Sequence, residues 1–363
     1  MKPTEQLQQL GQSLWLDNIT RDMLDDGTLR RYIDEWSVTG LTSNPTIFNA
    51  AIGEGHAYDN GIREKARAGA SGEDLFIALA LEDLRRAADL FKPVFERSGQ
   101  MDGWVSMEVS PLLAFDTQAS IRAAVDIHRK AERANLFVKI PGTPEGIPAI
   151  EEAIFQGIPI NVTLLFSRDQ YVAAANAYLR GIGRRLAADK DPKVNSVASL
   201  FVSRWDVAIK DKVPEDLRNK LGVAVGGQVY RAYRELLASP RWELLARAGA
   251  RPQRLLWAST GTKDPQAPDT LYVEALAAPD TIDTMPDKTL RAFAEHGSVK
   301  GAMAQDGGDS ASVLARFARA GVDIGELANR LQQEGAKSFV TSWNELLARI
   351  AQKSETLARA ASS

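Results

Sequence analysis

The chain has 363 residues, 44% of them hydrophobic and 25% charged, with a formal net charge of −3. Such a balance supports a large core and calls for neither nucleic acid nor an anionic membrane as partner, although a local cluster of cations can still hold a small phosphorylated molecule. No cysteine occurs, which excludes disulfides, thiolate catalysis and cysteine metal sites and fits a reducing cytoplasm. The N-terminal stretch MKPTEQLQQLGQSLWLD lacks the apolar core of a signal peptide, and no run is long enough to span a membrane. A cytoplasmic location without membrane partners is therefore expected.

Short apolar runs alternate with longer segments of helical period. In chain order, the predicted strands are Ser13–Ile19, Val38–Asn44, Gly103–Ser110, Leu136–Pro141, Pro159–Phe166, Ser196–Ser203, Arg254–Thr260 and Asp280–Met285. Helical spacing follows each strand, as in Ala119–Ala134 and Asp169–Ala188. Strands alternating with helices imply parallel pairing, and nearly continuous apolar strands imply burial on both faces. Eight such units of about 36 residues point to an α/β chain folded as one (β/α)8 barrel domain. The barrel is expected over residues 13–300. An oversized connection between the second and third strands contains Ser71–Ser98, which reads as an added helical layer with Ser71 or Gly72 at its start. Gln305–Ser310 is the best linker candidate, and residues 301–363 form a C-terminal helical extension. Within it Leu327, Leu331, Phe339, Trp343, Leu346, Leu347 and Ile350 recur every three or four residues. That row suits a terminal helix packed on the barrel, with a lid or a subunit contact as the sharper alternative.

Catalysis in such a barrel belongs at the C-terminal ends of the strands, so polar residues late in apolar strands are the candidates. Lys139 ends LFVKIPG. Burial disfavours an ammonium and frees an amine to attack a carbonyl, yet a structural ion pair would explain the residue as well. Asp17 in SLWLDNI and Glu108 in WVSMEVS are carboxylates among large apolar neighbours, suited to proton transfer or simply to neutralising Lys139. Asn161 and Thr163 in IPINVTLLF lie two apart and so share a face, either meeting a polyol or forming a satisfied polar layer. Asn44 precedes Pro45 at the end of its strand, where a plain Asn-Pro turn is the simpler reading. Ser199 and Arg204 lie in SVASLFVSRWD, with Arg204 at a strand-to-helix transition where a guanidinium can grip phosphate. Lys263 follows WASTG in a loop position that often binds phosphate, although an exposed surface lysine is the simpler reading. His56, His128 and His296 form no ligand pattern, so no metal is expected. No Walker loop, dinucleotide fingerprint or GxSxG elbow is present.

The segments LWLDNI, GLTSNPTIF, SMEVSP, FVKIPGT, INVTLLFS and SLFVSRWD resemble those of transaldolases, in the same order, with LLWASTGTKD and TIDTMPDKTL continuing the likeness. The longer bacterial form of the family is the most similar. This resemblance implies a Schiff base on Lys139, a water held by Glu108 and Thr163, and assistance to carbon–carbon cleavage by Asp17. It further implies Asn44 and Asn161 on the hydroxyls of a three-carbon fragment, with Ser199 and Arg204 on the phosphate end. Dihydroxyacetone would pass from sedoheptulose 7-phosphate to glyceraldehyde 3-phosphate without metal or cofactor, in a monomer or homodimer. A fructose 6-phosphate aldolase and a non-catalytic sugar-phosphate-binding barrel remain the alternatives. One departure stands out: many transaldolases carry a second phosphate-binding arginine after strand seven, where this chain has ASTGTKD and Lys263 as the available cation.

Overall fold

The computed structural model describes residues 1–53 and 55–360. Eight parallel strands pair in sequence order into a closed barrel: β1 (Ser13–Asp17), β2 (Val38–Thr42), β3 (Val105–Glu108), β4 (Leu136–Pro141), β5 (Ile160–Leu165), β6 (Ser196–Phe201), β7 (Gln253–Ala258) and β8 (Thr281–Met285). Most strands are shorter than the runs predicted for them because their polar ends are used by the helices that follow. Asn44 Oδ1 accepts from Ile47 N, and Ser203 already opens the helix Ser203–Ile209.

An aromatic layer fills the barrel beneath the strand ends. Trp104 stacks on Phe137 with centroids 4.1 Å apart, and Trp15 lies 6.2 Å from the same ring. Gly40 makes room for it: a Cβ there would sit 2.6 Å from Trp15 Cε2 and 2.7 Å from the Trp104 carbonyl. Phe137 and Lys139 share a face of β4, so the lysine stands directly above this dry layer. Lower still, Asp102 accepts from Ser13 Oγ and from Trp15 Nε1 (2.8 Å), while Arg254 donates to Ser13 Oγ and the Thr281 carbonyl, closing the other end.

The oversized connection after β2 holds three helices, Pro45–Gly53, Asp59–Arg67 and Gly72–Arg97. The last packs on β2 and β3 and is the crossover helix of its unit, so the added layer is the first two. Ser71 occupies the N-cap position of Gly72–Arg97 without a side-chain cap bond; Glu73 and Asp74 fall in its first turn. After β8 come helices Asp287–His296, Ser310–Arg319 and Ile324–Ala360, with the expected linker in the loop between the first two. Residues 361–363 of the expected extension lie outside the described residues.

The final helix starts where Asp323 Oδ1 accepts from Glu326 N at 2.9 Å. Its 37 residues extend roughly 55 Å. Leu327, Leu331, Phe339, Trp343, Leu346 and Ile350 are buried. Trp343 meets Phe76 edge-on at 5.2 Å, and the helix also packs against Pro45–Gly53, Asp59–Arg67 and β5. The periodic row is therefore a packing face, laid across the C-terminal side of the barrel. Among the described residues no helix is long and apolar enough to cross a membrane.

Candidate active site

Strand alternation brings the polar residues to the C-terminal mouth. Asp17, Thr42, Asn44, Lys139, Thr163, Ser199, Phe201, Arg204, Lys263 and Thr284 line one cavity, with Phe339 of the final helix at its edge. Glu108 stands beside it on β3, paired in register with Lys139 on β4. Asn161 sits one layer deeper than Thr163 and does not line the cavity. It donates to Ser106 Oγ (3.2 Å) and accepts from Ser199 Oγ (2.7 Å), so it orients the serine above it.

Lys139 is 5% exposed and Glu108 equally so. Lys139 Nζ donates to the Ser43 carbonyl at 3.0 Å and lies 3.5 Å from Glu108 Oε2. Both Glu108 oxygens and the Thr163 hydroxyl are buried without a hydrogen bond to any of the described residues. Buried polar groups are mostly satisfied in proteins, so these three oxygens are open to a ligand or a water. Burial pushes the Glu108 carboxyl above its ordinary range, with the Lys139 charge opposing. Burial raises Asp17 as well, against Lys139 and a hydrogen bond from Thr42. Thr42 Oγ1 donates to Asp17 Oδ1 at 2.6 Å and lies 2.7 Å from Thr284 Oγ1, so a hydroxyl chain fixes the direction of the carboxylate.

Arg204, in the first turn of Ser203–Ile209, is held between two rings. Its Cζ lies 5.1 Å from the Phe201 centroid and 5.8 Å from that of Phe339. Burial pulls its guanidinium below the ordinary value, and the nearby Glu108 and Asp17 pull it back. Lys263 is an exposed cation on the rim, close to Gly261. Asn44 uses its carboxamide oxygen to cap Pro45–Gly53, which leaves its NH2 for a ligand. Among the described residues no group of His, Asp and Glu is arranged to hold a metal.

Several residues at the site lie outside the sequence-based set. Thr42 and Thr284 carried a readable signal, as polar residues late in apolar strands. Phe339 did not, because a cavity-edge ring and a core ring look alike within a helical period. Ser259 (φ 57°) and Leu164 (φ 57°) adopt left-handed backbone at the ends of β7 and β5, a conformation rare outside glycine that gathers at functional sites.

A family profile described as transaldolase/fructose-6-phosphate aldolase matches residues 14–350. The chain is 45% identical to a transaldolase of Thiobacillus denitrificans (strain ATCC 25259 / T1), over 96% of this chain and 100% of that one. It is 44% identical to a transaldolase of Thermobifida fusca (strain YX), over 97% and 98%, and 43% identical to one of Parafrankia sp. (strain EAN1pec), over 95% and 96%.

Proposed function

Since the chain belongs to the transaldolase family of enzymes, we propose that it transfers a dihydroxyacetone unit from sedoheptulose 7-phosphate to glyceraldehyde 3-phosphate through a Schiff base on Lys139. The products are erythrose 4-phosphate and fructose 6-phosphate, which places the enzyme in the pentose phosphate pathway. The observation that carries this reading is a buried amine 3.5 Å from a buried carboxylate, flanked by unsatisfied oxygens at a barrel mouth.

Lys139 passes a proton to Glu108, whose burial makes it a ready acceptor, and the free amine attacks the ketose C2 carbonyl. The carbinolamine loses water with a proton from Glu108, relayed by a water that Glu108 and Thr163 hold. The iminium then draws the electrons of the C3–C4 bond as Asp17 takes the proton of the C4 hydroxyl. The aldehyde leaves, and a three-carbon enamine stays on Lys139. Attack of the enamine on the acceptor aldehyde, with the proton returned by Asp17, reverses these steps. Asn44 meets a hydroxyl of the fragment, Asn161 acts through Ser199, which it orients, and Ser199, Arg204 and Lys263 hold the phosphate end. Phe339 and Phe201 keep the guanidinium in place and the cavity poor in water, which protects the enamine from hydrolysis.

The family description also covers fructose 6-phosphate aldolase, which releases dihydroxyacetone. Glu108 and Phe201 resemble the residues of transaldolases at these positions, which supports transfer. Incubation of the enzyme with fructose 6-phosphate, with and without erythrose 4-phosphate, separates the two. Transfer gives glyceraldehyde 3-phosphate beyond one equivalent per active site only when the acceptor is present. Acceptor-independent release of dihydroxyacetone at a comparable rate would assign the chain to the aldolase branch.

A further inference from the structure

Gln332, on the final helix, is 7% exposed and faces the barrel. Its Nε2 donates at 2.9 Å to the Gly142 carbonyl and at 2.9 Å to the Leu164 carbonyl, which uses both amide hydrogens. These carbonyls belong to the ends of the two strands that carry Lys139 and Thr163. β5 bulges here: Val162 pairs with Ala198 and Leu165 with Leu200, so one extra residue lies between them on β5. A bulge leaves a carbonyl out of the ladder, and Gln332 supplies the missing donor to Leu164. Gly142 N in turn donates to the Thr163 carbonyl at 2.7 Å. Gln332, Gly142, Thr163 and Leu164 thus close a ring around the backbone of Thr163.

The ring matters because the Thr163 hydroxyl has no hydrogen bond of its own among the described residues. Its position relative to Lys139 and Glu108 is set by the main chain alone, at a place where Leu164 holds a left-handed φ of 57°. The helix lies close enough to do this because residue 335 is glycine; a Cβ there would sit 2.9 Å from Leu164 Cδ2 and 3.1 Å from Arg204 Nη1. Attachment of the helix does not itself require an amide at 332, since a row of buried apolar side chains already anchors it.

We propose that Gln332 is a positioning residue for proton transfer, a clamp supplied by the C-terminal helix that fixes Thr163 against Lys139 and Glu108. The inference rests on the Schiff-base reading above.

The test measures kcat and KM of the full-length enzyme carrying Gln332→Met, Thr163→Ala or both. Lys353→Ala serves as a control for helix docking, because Lys353 ties the far end of the same helix to the Gly55 carbonyl and Asp59. Gln332→Met is expected to lose about tenfold in kcat, with KM within about twofold, as a small misplacement of a proton-transfer group does. In the Thr163→Ala background the same change is expected to cost less than about twofold, because the group it positions is gone. Lys353→Ala is expected to keep its kcat. Should Gln332→Met fail to fold, Gln332→Glu keeps the shape and turns acceptors toward both carbonyls, and the same loss is expected. Wild-type kcat in the folded Gln332 variant or in Thr163→Ala, multiplying losses in the double variant, or an equal loss in Lys353→Ala would overturn the proposal. Failure of the Schiff-base reading shows differently, as the absence of any borohydride-trapped adduct on wild-type Lys139.

Discussion

Asp283 offers a test of the electrostatics that owes nothing to catalysis. It lies on β8 beside Thr284, and since Thr284 faces the cavity, Asp283 faces the opposite way, between the barrel wall and the helices. It is fully buried. Thr260 Oγ1 donates to its Oδ1 at 2.9 Å, while Oδ2 has no hydrogen bond among the described residues. Burial raises the carboxyl from 3.8 to about 7, the Thr260 hydrogen bond opposing. The folded chain therefore keeps this proton while the unfolded chain loses it near pH 4. Stability falls as pH rises from about 4 to 7, and above pH 7 the whole cost, about 4 kcal/mol, is present. Asp283→Asn keeps the acceptor for Thr260 and stays neutral. It is expected to stabilise the protein by 2–4 kcal/mol at pH 8 (order of magnitude) and by less than about 2 at pH 5. Urea denaturation at the two pH values reads this directly. A gain independent of pH, or a loss at pH 8, would refute the assignment of a buried carboxyl held protonated by the fold.

Three further outcomes follow from the same geometry. Lys139→Met fills a similar volume without an amine and is expected to lower kcat by about 10⁴-fold or more in a steady-state assay, with the chain still folded. Arg204→Ala removes the guanidinium clasped by Phe201 and Phe339. It is expected to cost about 10²-fold in kcat/KM for phosphorylated substrates and to weaken inhibition by inorganic phosphate, read from initial rates with and without phosphate. Gly40→Ala drives a methyl group against Trp15 and the Trp104 carbonyl and is expected to destabilise by about 2–3 kcal/mol, measured as a lower Tm and denaturation midpoint.

Much of the barrel and its mouth could be read from residues in line. The strands announce themselves because both faces are buried, and a lysine or carboxylate late in such a run stands out against Val, Leu and Ile. Lys139, Glu108, Asp17 and Thr163 were found that way, and alternation correctly put Asn161 and Thr163 on one face. Strand ends were overrun because Asn44 and Ser203 serve the next helix, a role that apolar spacing does not encode. Asn161 sits a layer deeper than expected because a barrel interior is stacked in tiers, and parity gives the face without the height. Phe339 and Gln332 act on residues far away in sequence, and within their helix they read as ordinary packing and ordinary polarity. The bulge at Leu164 has no local mark, since leucine does not favour a left-handed backbone and is held there by tertiary contacts. Nothing local to β8 marks Asp283, whose outward face makes it a buried acid with one oxygen unsatisfied among the described residues.

The central claim is that Lys139 is the covalent centre, and borohydride reduction in the presence of fructose 6-phosphate tests it most directly. Intact-mass and peptide analysis of the product is expected to show a stable three-carbon adduct on Lys139, absent without substrate and absent in Lys139→Met. A folded enzyme that binds the sugar phosphate yet yields no adduct, or yields it on another lysine, would contradict the account.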